Sequence, residues 1–123
     1  MKIAVVTDDG QTISSHFGMA ALYRVFTIGD GHIKGDEQRD KPHHAVHPQP
    51  DEHHSHEPHL HGDMVAPIAD CQVLLCGGMG QPAYQKALDA GLEVVLVGGE
   101  ARPAVEAYLQ GNLHSDPRRV HMH

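Results

Sequence analysis

The sequence predicts an α/β fold on a mixed sheet of about five strands, and three patterns predict it. Residues Gln72–Val97 read as strand, helix, strand. That unit requires parallel pairing and a right-handed crossover. Residues 2–37 read instead as strands joined by tight turns, which adds antiparallel pairing. Two amphipathic helical stretches, each with a Pro near its start and a Gly past its end, supply layers to cover the sheet.

The elements follow in order. Lys2–Thr7 is apolar and β-branched and stops at Asp8-Asp9-Gly10, as a buried strand and turn should. Leu22–Ile28 alternates, and Gly29-Asp30-Gly31 predicts a hairpin into a strand near His32–Glu37. Asp63–Asp70 fits a short helix if Pro67 lies in its first turn. Gln72–Cys76 is a second buried strand, followed by Gly77-Gly78-Met79-Gly80. A helix then starts near Pro82, places Ala83, Tyr84, Ala87 and Leu88 on one face, and stops at Gly91. Glu93–Val97 is a third buried strand. Ala101–Gln110 is a second helix, with Pro103 near its start, Val105, Tyr108 and Leu109 inward, and Gly111 at its end. Asn112–His123 is polar and is expected to fray.

At 123 residues the chain reads as one domain, residues 1–123, with enough length for a real core. Nine Lys and Arg against 16 Asp and Glu give a formal charge of -7, which disfavours nucleic acid and anionic membrane surfaces. No apolar run approaches the roughly 18 residues of a membrane span. The N-terminus reads as a strand and not as a signal peptide, so the cytoplasm is the expected compartment. Two cysteines do not make a disulfide framework.

Histidine is the departure from ordinary composition, with 13 residues in 123. Eight of them are His43, His44, His47, His53, His54, His56, His59 and His61. Four of the eight prolines fall in the same stretch, and Ala45, Val46 and Leu60 are its apolar residues. Nothing there offsets the entropy of ordering, so residues 40–61 are expected to form a flexible His/Pro-rich loop insertion. Imidazole suits Zn, Ni, Cu and Fe, and Asp51, Glu52 and Glu57 add oxygen donors. Without a fixed frame the expected binding is loose and exchangeable. The plainer alternative is a solvated spacer.

Two further stretches carry chemistry. In Ser14-Ser15-His16-Phe17-Gly18, His16 follows the turn after the first strand, Phe17 offers an anchor and Gly18 permits close backbone approach. Taken alone, a lone imidazole here reads as solvent-facing or capping. In Cys76-Gly77-Gly78-Met79-Gly80, glycines between a buried strand and a helix start suit an anion, and Met79 adds a soft thioether. The competing reading is plain turn glycines. Gly78-x-Gly80-x-x-Ala83, with Glu100 past the next strand, also mimics a dinucleotide fingerprint, though one crossover is too little chain for the full fold. Asp8-Asp9 is a poor two-metal pair, because neighbours in an extended stretch face opposite ways. Ser15 and His16 are sequence neighbours, which rarely meet in nucleophilic geometry.

With these pieces in place the sequence resembles the dinitrogenase iron–molybdenum cofactor biosynthesis family. The resemblance rests on KIAVVTDDG, on Ser14-x-His16-Phe17-Gly18-x-Ala20 with LYRVFTI, and on ADCQVLLCGGMGQPAYQKALDAGLEVVLV. It implies a ribonuclease-H-like three-layer α/β/α fold without nuclease activity, in proteins that bind or carry metal–sulfur clusters. It also implies that the first strand lies beside Gln72–Cys76 and that His16 helps to hold the cluster. The expected cluster site is then His16, Phe17, Gly18, Gly77, Gly78, Met79 and Gly80. The histidines of 43–61 have no counterpart in the resemblance, beyond a possible match at His61-Gly62.

The resulting expectation is a non-enzymatic protein that binds or carries a metal–sulfur cluster (Fe–S or Mo-containing) or a transition-metal ion. A cluster donor or acceptor protein is its expected partner. The alternatives are a His-loop metallochaperone or store for Zn, Ni or Cu, and a nucleotide-binding regulatory module using Gly78, Gly80, Ala83 and Glu100.

Overall fold

The structure is a computed structural model, and it describes residues 1–41 and 64–121. The strands are β1 (Lys2–Thr7), β2 (Leu22–Gly29), β3 (His32–Asp40), β4 (Val73–Cys76), β5 (Met79–Gly80), β6 (Glu93–Leu96) and β7 (Val120–His121). The helices are α1 (Gln81–Asp89) and α2 (Ala101–Leu109). The main sheet has five strands in the order β3-β2-β1-β4-β6. β1 pairs antiparallel with β2 and parallel with β4, and β4 pairs parallel with β6. A second sheet joins β5 and β7 in parallel.

β1 lies at the centre and is covered on both faces, which is why its sequence is a continuous apolar run. Ala4 and Val6 face a core shared with Phe17, Tyr23, Leu74 and Ala87 of α1. Ile3 and Val5 face the opposite core, shared with Phe26, Leu75 and with Ala101, Ala104 and Val105 of α2. The helices therefore cover opposite faces, giving three layers. Asp30 and Gly31 both adopt positive φ (55° and 78°) and turn β2 into β3, as a two-residue hairpin of the required twist demands. β3 forms an edge, and its mostly exposed, charged side chains discourage pairing with another chain.

Three local expectations change. The helix expected over Asp63–Asp70 is, in its described part, a single 3-10 turn at Ala66–Ile68. Pro67 occupies its start, and only a few residues remain before β4, too few for a second turn. Leu88 is 39% exposed, since α1 is held through Ala83, Tyr84 and Ala87. The segment expected to fray is, in its described part to His121, tied back to the sheet. The Asp116 amide donates to Leu96 O at 2.9 Å, the Leu96 amide donates to Ser115 Oγ at 2.9 Å, and Val120–His121 forms β7. These partners are distant in sequence, so local composition does not display them.

The arrangement also fixes where a site can form. The chain leaves β1 toward β2 and leaves β4 toward β6, on opposite sides. The crevice at the carboxyl ends of two such strands is where open α/β sheets bind ligands. No helix among the described residues is long and apolar enough to cross a membrane.

Candidate functional site

Two loops meet at the carboxyl ends of β1 and β4. The loop after β1 is built on Asp9. Its carboxylate accepts from the amides of Thr12 (2.8 Å) and Gln11 (2.9 Å) and from Thr7 Oγ1 (3.2 Å). The Thr12 and Gln11 amides hold this carboxyl below the usual range. Asp9 thus orders a turn, which leaves its neighbour Asp8 exposed at the surface.

The chain then returns alongside the sheet. The Ser14 amide donates to Val6 O at 2.7 Å, and Ser14 O accepts from the Gly77 amide at 2.7 Å. The Phe17 amide donates to Gly78 O at 3.0 Å. These bonds join residues 14–17 to the Gly77–Gly80 turn. The approach requires glycine: a Cβ on Gly77 would lie 2.7 Å from Ser14 O.

His16 is fixed by its backbone and exposed at its side chain. Its amide donates to Ser14 Oγ at 3.1 Å, and its carbonyl accepts from Met19 (3.0 Å) and Ala20 (3.1 Å). It lines a shallow cavity of about 270 Å³ with Asp8, Asp9, Thr12 and Ser14. A second, apolar cavity of about 270 Å³ is walled by Phe17, Gly18, Met64, Gly80, Pro82 and Ala83.

Of the seven residues expected of the cluster site, His16 lines the first cavity, Phe17, Gly18 and Gly80 line the second, and Gly77, Gly78 and Met79 are buried. Met79 is 1% exposed and packs into the core beside α1, so its thioether does not reach either cavity. Pairing with Val120 of β7 turns it inward. Gly78 is buried, with its carbonyl bound by Phe17, so this turn is packed against residues 14–17 where a dinucleotide would need it open. Glu100 lies at the start of α2 and bridges to Thr12. The histidines from His43 to His61 lie outside the described residues.

Neither cysteine is poised to ligate. Burial pushes the Cys76 and Cys71 thiols up to about 11, and the Cys76 thiol donates to Gly78 O at 3.1 Å. No group of three or more His, Cys, Asp or Glu among the described residues could hold a metal ion.

Two cations that the sequence did not flag stand beside the cleft. Lys41 is 3% exposed, donates to Ala20 O at 3.2 Å, and has Nζ 4.5 Å from the Phe17 ring centroid and 5.9 Å from that of Tyr23. Burial lowers its ammonium to about 8, with the Cys76 and Asp8 sites acting in the opposite direction. Arg119 donates from Nη1 to Gly77 O at 3.0 Å. In sequence, Lys41 precedes a polar tract and Arg119 lies in a polar tail, and neither position signals burial or contact.

Comparisons with known proteins agree with this architecture. The chain is similar to a crystal structure of the protein PH0822, with 21% identity, a TM-score of 0.71, and coverage of 94% of this chain and 96% of that one. It is similar to a protein of Methanocaldococcus jannaschii named as a candidate dinitrogenase, with 15% identity, a TM-score of 0.65, and 94% of each chain covered. It is also similar to the apo form of the orange protein from Desulfovibrio gigas, with 23% identity, a TM-score of 0.66, and 94% and 92% covered. At these identities the likeness concerns the fold. No curated protein matches the sequence significantly. The sequence model of the dinitrogenase iron-molybdenum cofactor family matches residues 1–111. With the parallel pairing of β1 and β4 and the His-Phe-Gly and Gly-Gly-Met-Gly elements at its crevice, the chain belongs to the dinitrogenase iron-molybdenum cofactor family.

Proposed function

We propose that this protein is a non-catalytic carrier of an anionic metal–sulfur cluster, Fe–S or Mo-containing, held at the surface where His16, Phe17, Gly18 and Gly80 line the two cavities. The observation that carries the reading is the exposed imidazole of His16 on a backbone locked to the Gly77–Gly80 turn. A single imidazole with backbone amides and nearby cations suits a polarizable anion better than a bare divalent ion, which needs several side-chain donors. The buried cysteines favour cargo that brings its own sulfide. Phe17, Gly18 and Gly80 shape the wall, Gly77 and Gly78 lock residues 14–17 to the turn behind it, and Met79 supports from the core. As cargo, the cluster arrives from a donor protein and leaves to an acceptor, in the cytoplasm.

The second reading concerns His43, His44, His47, His53, His54, His56, His59 and His61, as collectors of Zn, Ni or Cu. One observation favours linking them to the cleft. The last described residue before the tract, Lys41, lies over Phe17, and the first after it, Met64, accepts from Tyr23 OH at 2.6 Å. Both ends of the tract therefore leave from the cleft wall.

Anaerobic loading with tetrathiomolybdate, or with iron and sulfide, separates the two. The visible spectrum and metal content are read for the wild type, His16→Ala and a deletion of 43–61. Cluster colour retained in the deletion and lost in His16→Ala supports the crevice carrier. Metal that vanishes with the tract and ignores His16 refutes it in favour of the metal-ion collector.

A further inference from the structure

The C-terminal segment lies beyond residues 1–111, the part that matches the family. It nevertheless crosses the carboxyl ends of the parallel strands. Asp116 and Ser115 bind the backbone of Leu96 at the end of β6. Val120–His121 pairs with Met79–Gly80. Between these anchors Arg119 meets two glycine turns at once. Its Nη1 donates to Gly77 O at 3.0 Å, and its Nη2 lies 3.3 Å from where a Cβ on Gly98 would stand.

The residue that Arg119 grips is also tied to the loop that carries His16, since the Gly77 amide donates to Ser14 O. Arg119 is half-buried, and both it and Lys41 act electrostatically on the Cys76 thiol that ends β4. Two cations thus stand near the end of β4. Arg118 differs: its side chain is 88% exposed and forks onto Asp116.

We propose that Arg119 is a positioning residue for the crevice: its guanidinium clamps the Gly77 carbonyl, and its charge draws an anionic metal–sulfur cargo to the turn. The inference rests on the carrier reading above. A charge-assisted bond to a backbone carbonyl is both strong and directional, so one residue can set the turn and the local field. Lysine would keep the charge and lose the fork.

The test uses the full chain and tetrathiomolybdate, a soft dianion, titrated anaerobically at several salt concentrations. Arg119→Met is compared with Arg118→Met, which changes net charge equally. Arg119→Met is expected to weaken binding about tenfold and to flatten its salt dependence, as loss of one charged contact at the site requires. Arg118→Met should stay within about twofold, as an exposed pair of small effect does. Arg119→Lys should recover the salt dependence and only part of the affinity. Amide exchange at Gly77–Gly80 should quicken in Arg119→Met.

Equal binding by Arg119→Met and Arg118→Met overturns the proposal and leaves the carrier reading standing. Should Arg119→Met fail to fold, Arg119→Lys decides, and affinity equal to wild type overturns the clamp. A wild type that does not retain the anion overturns the carrier reading and the charge role together. Unchanged exchange at Gly77–Gly80 overturns the clamp independently.

Discussion

Replacing Lys41 by methionine should abolish a rise in stability with pH. The side chain is 3% exposed, and its ammonium is lowered from 10.5 to about 8. That difference corresponds to roughly 3 kcal/mol of penalty on the charged form, at 1.36 kcal/mol per pH unit. The cation over Phe17 at 4.5 Å returns about 1–2 kcal/mol in a desolvated setting. The bond from Nζ to Ala20 O returns about 1–2 kcal/mol more, and the variant leaves that carbonyl without this donor. Lys41→Met is therefore expected to match wild type within about 1 kcal/mol at pH 7. The sign with pH follows from proton counts. Between about 8 and 10.5 the unfolded chain holds the proton and the folded chain releases it, so raising the pH through that window stabilises wild type. The variant lacks this gain and should fall behind wild type by up to about 3 kcal/mol across the window. Urea unfolding of both proteins from pH 7 to 10.5 measures this. The difference between them cancels Cys71, whose raised value acts the other way above about 9. A difference that stays constant with pH would refute the reasoning. A confirmed rise would mean that the chain keeps a costly charge beside the cleft, and Lys41→Met should then hold tetrathiomolybdate more weakly.

Other substitutions test the frame. Gly77→Ala should cost about 2 kcal/mol or more in urea unfolding, because the new Cβ would meet backbone, which cannot swing aside. Tyr23→Phe removes the 2.6 Å bond to Met64 O and should cost about 1–2 kcal/mol, read as a lowered denaturant midpoint. Asp70 is held well below the usual carboxylate range by Arg39 and then Lys2, so its contribution is present above about 4 and lost as pH falls toward its folded value. Its half-exposed setting limits that contribution to under about 1 kcal/mol, and Asp70→Asn should flatten the acid limb by that amount and no more. With both thiols buried and raised to about 11, native protein should react slowly with a disulfide reagent at pH 7.5 and fully in urea.

The parts of the fold that the sequence foretold are those where local composition reflects burial. β1, β4 and β6 are covered on both faces, so their apolar runs match the strands to within a residue at each end. The turn glycines mark a close approach at Gly77 and left-handed backbone at Gly31, Gly91 and Gly111. What escaped reading depends on partners far away in sequence. Arg119 owes its place to Gly77 and Gly98, and Lys41 owes its burial to Phe17 and Tyr23. Met79 misleads for the same reason. Its thioether suggests a ligand, and its pairing with Val120 sends it into the core instead.

The anchoring of Lys41 and Met64 on one aromatic pair has an evolutionary consequence. The fold is closed before residue 42 and after residue 63 by contacts that these two residues make themselves. The entropy of closing a loop grows only logarithmically, by about 0.6 kcal/mol for each doubling of length. Residues between two such anchors can be gained, lost or exchanged with almost no effect on the sheet. The composition of that segment is then free to change while the anchors and the sheet stay constant, so the two can evolve separately.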